Sequence, residues 1–315
     1  MTMPALDVDG LTKTFSGFPA VRQVSFSVPS GSITGFLGPN GAGKTTTLRM
    51  ALGIIRPDAG KALLFGQPPT QRTLDRVGFL PEERGVYRKM TAEQVIALFA
   101  RLKGVPAAEA RRRALTSLER FGLAASAGKK IKELSKGMAQ KVQIIAAIIH
   151  EPDFIILDEP FSGLDPVNQA MLEDVILEQA KAGRTILFST HVMAQAERIC
   201  DRIVLMARGS KIFDGKVDEA LSVVPRLVTI GVDSHDDISA LLSRFGEVTR
   251  LEPDADGAAV WQIALTSGVD PQHVLRACVE AGVRLTRFEP VRPHLHDAFV
   301  RLVSASETAQ PAGGK

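Results

Sequence analysis

The sequence predicts an α/β protein: a mostly parallel sheet arranged around a phosphate-binding loop, followed by a smaller α+β unit. Three observations predict it. Residues Gly38-Pro39-Asn40-Gly41-Ala42-Gly43-Lys44-Thr45 fit the pattern G-x-x-x-x-G-K-[ST]. The later runs Phe154–Leu157, Thr185–Phe188 and Arg202–Met206 are near-continuously apolar, as strands covered on both faces are. Beyond residue 217 the pattern reads strand, helix, strand, strand, helix, strand.

Taken in order, Ala5–Val8, Val24–Val28 and Lys61–Phe65 alternate and predict an antiparallel layer beside the core. Ser32–Leu37 reads as a buried strand entering the glycine loop, and Thr46–Leu52 as the helix leaving it. In the loop itself, glycines let successive N–H groups point at phosphate oxygens. Lys44 brings a positive charge to the outer phosphates, and the Thr45 hydroxyl suits Mg²⁺. A bound triphosphate follows from this strand–loop–helix context.

Residues 84–134 turn helical and read as an inserted subdomain. Ala92–Ala100 is one helix, with Thr91 as N-cap and Gly104 as stop; Glu109–Phe121 is another, ended by Gly122. After the three core strands, the last part of the chain is expected to form strands at 227–232, 248–251, 258–263 and 284–288. Helices are expected at 237–245, 271–281 and 294–304, a ferredoxin-like arrangement at 218–305 with a disordered tail at 306–315.

Composition narrows the classes. A length of 315 suits about two domains, and 45% hydrophobic with 23% charged residues is ordinary for a globular protein. A net charge of +3 is too small to argue for nucleic acid, and Arg111-Arg112-Arg113 reads as a solvated helix face. Cys200 and Cys278 have no metal or redox spacing, which suits a reduced cytosolic interior. No apolar run approaches the ~20 residues that cross a bilayer, so a membrane role is expected to come through a partner.

The strand Phe154–Leu157 ends in Asp158-Glu159-Pro160. At the carboxyl edge of an open α/β sheet both acids reach the crevice where ligands bind. Splitting off a γ-phosphoryl group needs a held Mg²⁺ and a group that activates water; Asp158 suits the first task and Glu159 the second.

At this point the chain resembles the ATP-binding cassette (ABC) ATPases, over residues 4–217. Leu134-Ser135-Lys136-Gly137-Met138-Ala139-Gln140-Lys141 is similar to their signature, Ser162-Gly163-Leu164-Asp165 to their D-loop and Ser189-Thr190-His191 to their switch histidine. The resemblance implies a P-loop NTPase core with an antiparallel layer and helical insert. It implies nucleotide contacts from Gly38 through Thr45 and from Thr46, with Phe15 stacking on adenine, and His191 polarising the γ-phosphate and the attacking water. Ser135 is expected to cap a helix from Gly137 to Ile149 whose N-terminus, with Gly137, faces the phosphate of a second copy. ATP would then bridge a head-to-tail homodimer. Glu82 stands where glutamine is usual, and would act through Mg²⁺ or water; Lys136 and Met138 replace a commoner glycine and glutamine.

Leu80–Met90 and Pro293–Phe299 resemble segments of ABC-2-type exporter ATPases, among them sodium-extrusion and drug-export proteins. That implies an integral membrane permease as partner, docking near Val86, Tyr87 and Met90 at the cytoplasmic face of the membrane. His294 and His296 read as surface residues rather than a metal pair. Two other readings are a soluble ABC ATPase acting on ribosome or DNA, and a regulatory module whose C-terminal unit senses a ligand. Paired cassettes or a long coiled coil, usual in the first, do not occur here.

Overall fold

The computed structural model describes residues 3–82, 87–233, 237–253 and 257–309, with side chains through 306. Val86, expected at the permease groove, lies outside the described residues. The chain forms two compact units, Met1–Val217 and Asp218–Lys315.

In the first unit the strands are β1 (Leu6–Phe15), β2 (Phe18–Val28), β3 (Ile33–Leu37), β4 (Ala59–Leu64), β5 (Val77–Leu80), β6 (Phe154–Leu157), β7 (Thr185–Thr190), β8 (Arg202–Ala207) and β9 (Ser210–Lys216). The helices are α1 (Lys44–Ala51), α2 (Gln71–Leu74), α3 (Ala92–Leu102), α4 (Ala107–Arg120), α5 (Lys136–Ile148), α6 (Pro166–Lys181) and α7 (Met193–Ile199), with α8 (Val217–Leu221) at the junction.

The main sheet runs β5-β6-β7-β3-β8-β9, parallel except for β9. Every residue of β3, β6 and β7 is buried, which is why these runs carry no polar alternation. The order is what builds a site. Strands β6, β7 and β3 are neighbours although far apart in the chain, so their carboxyl ends form one edge. The antiparallel layer, ordered β2-β1-β4, packs on this sheet through Phe26 stacked on Phe36 with ring centroids 5.1 Å apart.

Short polar side chains start the helices as their positions require. Thr91 accepts from the Gln94 N–H at 3.2 Å while the Gln94 side chain accepts from the Thr91 N–H at 3.0 Å, a capping box on α3. Ser135 caps α5 and Asp165 caps α6, accepting from the N–H groups of Met138 at 3.2 Å and Asn168 at 3.0 Å. Helices α1 and α5 begin slightly before the expected Thr46 and Gly137, so Lys44, Thr45 and Lys136 are helical.

The second unit contains β10 (Leu227–Val232), α9 (Ser239–Leu242), β11 (Gly246–Arg250), β12 (Ala259–Leu265), α10 (Pro271–Glu280), β13 (Leu285–Val291) and α11 (Leu295–Ala309). Its antiparallel sheet runs β11-β12-β10-β13, the split βαβ order of ferredoxin-like folds. Val228, Ile230, Trp261, Ile263, Val274 and Cys278 fill its core.

Two expectations change here. The helix expected at 237–245 is a single turn, because the Asp237 carboxylate accepts from the Ser239 N–H at 2.8 Å and Gly246 already opens β11. At the other end α11 continues to Ala309, so the tail expected from 306 starts as helix.

His150, after α5, is largely buried; its Nε2–H donates to the Val77 carbonyl at 3.2 Å and Nδ1 has no partner. Burial, aided by the nearby Lys103 charge, lowers its pKa to about 4. Below pH 6.5 the unfolded chain takes up a proton here that the fold refuses, so stability falls as pH drops from about 6.5 to 4. His150→Asn should flatten the dependence of Tm on pH across that window, read by calorimetry against the parent.

Candidate functional site

Two glycines let the loop after β3 take its path. A Cβ on Gly38 would stand 2.3 Å from the Met206 carbonyl oxygen, and one on Gly43, at φ 95°, 2.5 Å from that of Ala20. Gly43 is also the N-cap of α1, and the turn places Lys44 at the first helical position.

Lys44 is 5% exposed, and its ammonium donates to the carbonyls of Gly38 at 2.7 Å and Pro39 at 3.3 Å. It also lies 3.2 Å from Glu159 Oε1, an ion pair whose angle is too poor for a hydrogen bond, so that buried oxygen has no aligned donor. The other oxygen of Glu159 bonds His191 Nδ1 at 2.9 Å. Glu159 itself sits at φ 47°, a sparsely populated conformation for a non-glycine residue, which turns its side chain off the strand and into the crevice beside Asp158.

Asp158 is held by hydroxyls. Ser189 Oγ donates to Asp158 Oδ1 at 2.6 Å and Thr45 Oγ1 donates to the same oxygen at 3.2 Å. Ser189 Oγ in turn accepts from the Glu159 N–H at 2.8 Å, so one buried hydroxyl fixes both acids. Asp158 Oδ2 is buried without a partner. Burial raises the Asp158 pKa, while the Ser189 and Thr45 hydrogen bonds pull it down.

Lys44, Thr45, Asp158, Glu159 and His191 thus meet in one connected network from the ends of β3, β6 and β7. A cleft of about 290 Å³ opens on it, lined by Glu82, Lys136, Gln140, Asp158, Glu159 and Ser162 among others. Glu82 shares this cleft but is exposed. Ser135 caps its own helix and bonds no member of the network among the described residues. Phe15 is 44% exposed near the β1–β2 turn, with Lys13 Nζ 5.6 Å from its ring centre. A larger hollow of about 420 Å³, lined by Ser30, Phe65, Arg76, Asp153 and Arg184 among others, includes none of these residues. The buried acids with open valences mark the smaller cleft as the chemical one.

Ser189 is the residue that sequence reasoning left without a role. Its signal was there: Ser189 and Thr190 close a buried strand whose middle is apolar, and a buried hydroxyl needs partners.

A glycine loop on a helix start, joined through hydroxyl and ammonium to a strand-end acid pair, defines a P-loop nucleoside triphosphatase. The family model for ABC transporters matches residues 21–162. The chain is 39% identical over 301 residues to the ABC transporter ATP-binding protein YhaQ of Bacillus subtilis (strain 168), covering 95% of this chain and 99% of that one. It is 38% identical over 222 residues to Nod factor export ATP-binding protein I of Ralstonia nicotianae, covering 70% and 69%. A solved ATP-binding subunit of an ABC transporter superposes with a TM-score of 0.65 at 33% identity, covering 70% of this chain and 92% of that one. The chain belongs to the ATP-binding subunits of ABC transporters, a family of ATP-hydrolysing proteins.

Ser189→Ala removes a buried hydroxyl and leaves the Glu159 N–H unpaired. It should cost about 1–3 kcal/mol of stability, seen as a lower urea midpoint at unchanged m-value.

Proposed function

We propose that this chain is the ATP-hydrolysing subunit of an ABC-2-type exporter. In this reading it works as a head-to-tail homodimer on a separately encoded permease at the cytoplasmic face of the membrane, with sodium, drugs or similar molecules as cargo. The observation that carries the enzymatic part is the buried Lys44–Glu159 pair, with exposed His191 bonded to it, beside the Thr45–Asp158 pair. The exporter part is supported by the likeness to a Nod factor export protein and by the segments Leu80–Met90 and Pro293–Phe299. Among the described residues no helix is long and apolar enough to cross a membrane, which leaves the spanning part to a partner.

The donor set fits Mg²⁺. Asp158 offers a buried carboxylate oxygen with no hydrogen-bond partner, next to the Thr45 hydroxyl, and hard oxygens are what this ion prefers. Glu82 is the third candidate ligand, exposed on the same cleft. When bound, Mg²⁺ would neutralise phosphate charge.

The side chains divide the remaining work. Phosphate oxygens in the glycine loop compete with the Gly38 carbonyl and Glu159 for the Lys44 ammonium, so nucleotide releases Glu159 from that pair. The freed carboxylate, still held by His191, orients water and takes its proton. Ser135 and Gly137 would supply the N-terminus of α5 to the nucleotide on a second copy, and Phe15 an exposed ring for adenine.

Glu159→Gln keeps the shape but removes the base. It should bind ATP, slow turnover by on the order of 10²–10⁴, and accumulate as a dimer with Mg-ATP in light scattering. A variant that stays monomeric at saturating ATP would contradict the sandwich.

A further inference from the structure

The weak net charge of the chain conceals a strong separation. Residues 87–136 hold twelve Lys and Arg against four Glu, a net of +8. The whole chain carries +3, so the remainder carries −5. Much of the positive charge in this insert is already spoken for. Arg111 pairs with Glu93 at 2.7 Å, Arg112 and Arg113 with Glu109 at 2.7 and 2.6 Å, and Arg120 with Glu178. Lys103 donates to the Leu74 carbonyl.

Seven cations are left over; apart from Arg101 on α3 and Lys136 in the cleft, they are Arg88, Lys89, Lys129, Lys130 and Lys132. These five are exposed, and among the described residues none has an ion-pair partner. They come from two segments that the backbone zips together. The Ala92 N–H donates to the Lys129 carbonyl at 3.0 Å, that of Ile131 to Met90 at 3.0 Å and that of Lys132 to Arg88 at 3.2 Å, with Thr91 and Lys130 bridged antiparallel. Ala92 and Ile131 turn inward and are buried, while the cations stay in water. The acids nearby are engaged: the Glu133 carboxylate accepts from the Lys130 N–H at 3.1 Å, and Glu93 holds Arg111. Tyr87, 56% exposed, adjoins the strip.

We infer that this strip is a contact for anionic phospholipid headgroups. Four of its five cations are lysines, strongly hydrated point charges on flexible stems, which suit a mobile field of headgroups. Fixed carboxylates on a partner protein, or phosphates along a nucleic acid, favour the rigid arginine fork instead. A tyrosine beside the strip has the apolar body and polar tip found at membrane–water boundaries. The lipid contact would hold the insert of this subunit at the membrane alongside its permease. It rests on the reading that the subunit works at a membrane.

The test is co-sedimentation of the full chain with vesicles, without permease, so that it succeeds or fails separately from the exporter assignment. Vesicles containing phosphatidylglycerol should bind the protein, pure phosphatidylcholine should not, and high salt should abolish binding. Replacing all five cations by Gln should weaken binding at least about 100-fold. Two charge-matched variants locate the effect: K89Q/K129Q/K130Q should lose most of the binding, whereas R111Q/R112Q/R113Q should stay within about threefold of the parent. Basal ATPase activity and Tm should be unchanged in the strip variants, which shows that they fold. The inference is overturned by equal binding to both vesicle types, by equal loss in the two charge-matched variants, or by no vesicle binding at all. It is also overturned if the strip variants keep vesicle binding but lose association with the permease, which would make the strip a protein contact.

Discussion

The buried pair between Lys44 and Glu159 is the constraint around which this molecule is organised. Two opposite charges, 5% and 8% exposed, face each other across 3.2 Å at the edge of a fully buried sheet. Removing one partner of such a pair typically costs about 3–5 kcal/mol, because the survivor is left charged and unpaired. Everything that places these two residues must therefore be rigid. The glycine loop, pressed against the Met206 and Ala20 carbonyls, fixes the lysine, and the left-handed turn at Glu159 fixes the acid. The pair is also unfinished, since Glu159 Oε1 lacks an aligned hydrogen bond and Asp158 Oδ2 has none. In the proposed function, this pocket with unmet valences would receive the anionic oxygens and the cation of Mg-ATP.

The rest of the core reads as support for that edge. Strand order brings β3 between β7 and β8 and sets β6 beside β7, so three chain segments end together. Ser189 and Thr45 then tie the acids down with hydroxyls rather than charges, which positions them without neutralising them. In the proposed function, the Glu159 carboxylate and the Lys44 ammonium, within reach of one another, would part when nucleotide enters the glycine loop. Energetic coupling of binding to motion needs such a two-state element.

Much of this was legible in the sequence, and for identifiable reasons. The glycine loop, the Asp158-Glu159 step and the serine cap at Ser135 are local patterns whose chemistry depends on neighbours in sequence. Buried parallel strands announce themselves by unbroken apolarity, as Phe154–Leu157 does. What escaped depended on distance or on mixed polarity. The contact of Lys44 with Glu159 follows from strand order, which no local window contains. Edge strand β9 carries Lys211, Asp214 and Lys216 among few buried residues, and α6 buries Leu172, Val175 and Ile176 together with Glu173, which Arg198 pairs at 2.7 Å. The helix expected at 237–245 is cut to one turn because the Asp237 carboxylate accepts from the Ser239 N–H ahead of it and Gly246 opens a strand soon after it. Part of the Leu80–Met90 segment likened to exporters lies outside the described residues.

The most direct measurement is calorimetric titration of Mg-ATP into the parent chain and Lys44→Ala, with Tm recorded for both. If Lys44 exchanges Glu159 for phosphate, the variant binds about 10–150-fold more weakly, the worth of a charge-assisted hydrogen bond of about 1.5–3 kcal/mol. Its Tm without nucleotide should fall as well, because Glu159 is stranded. Unchanged affinity in a folded Lys44→Ala protein would contradict the account.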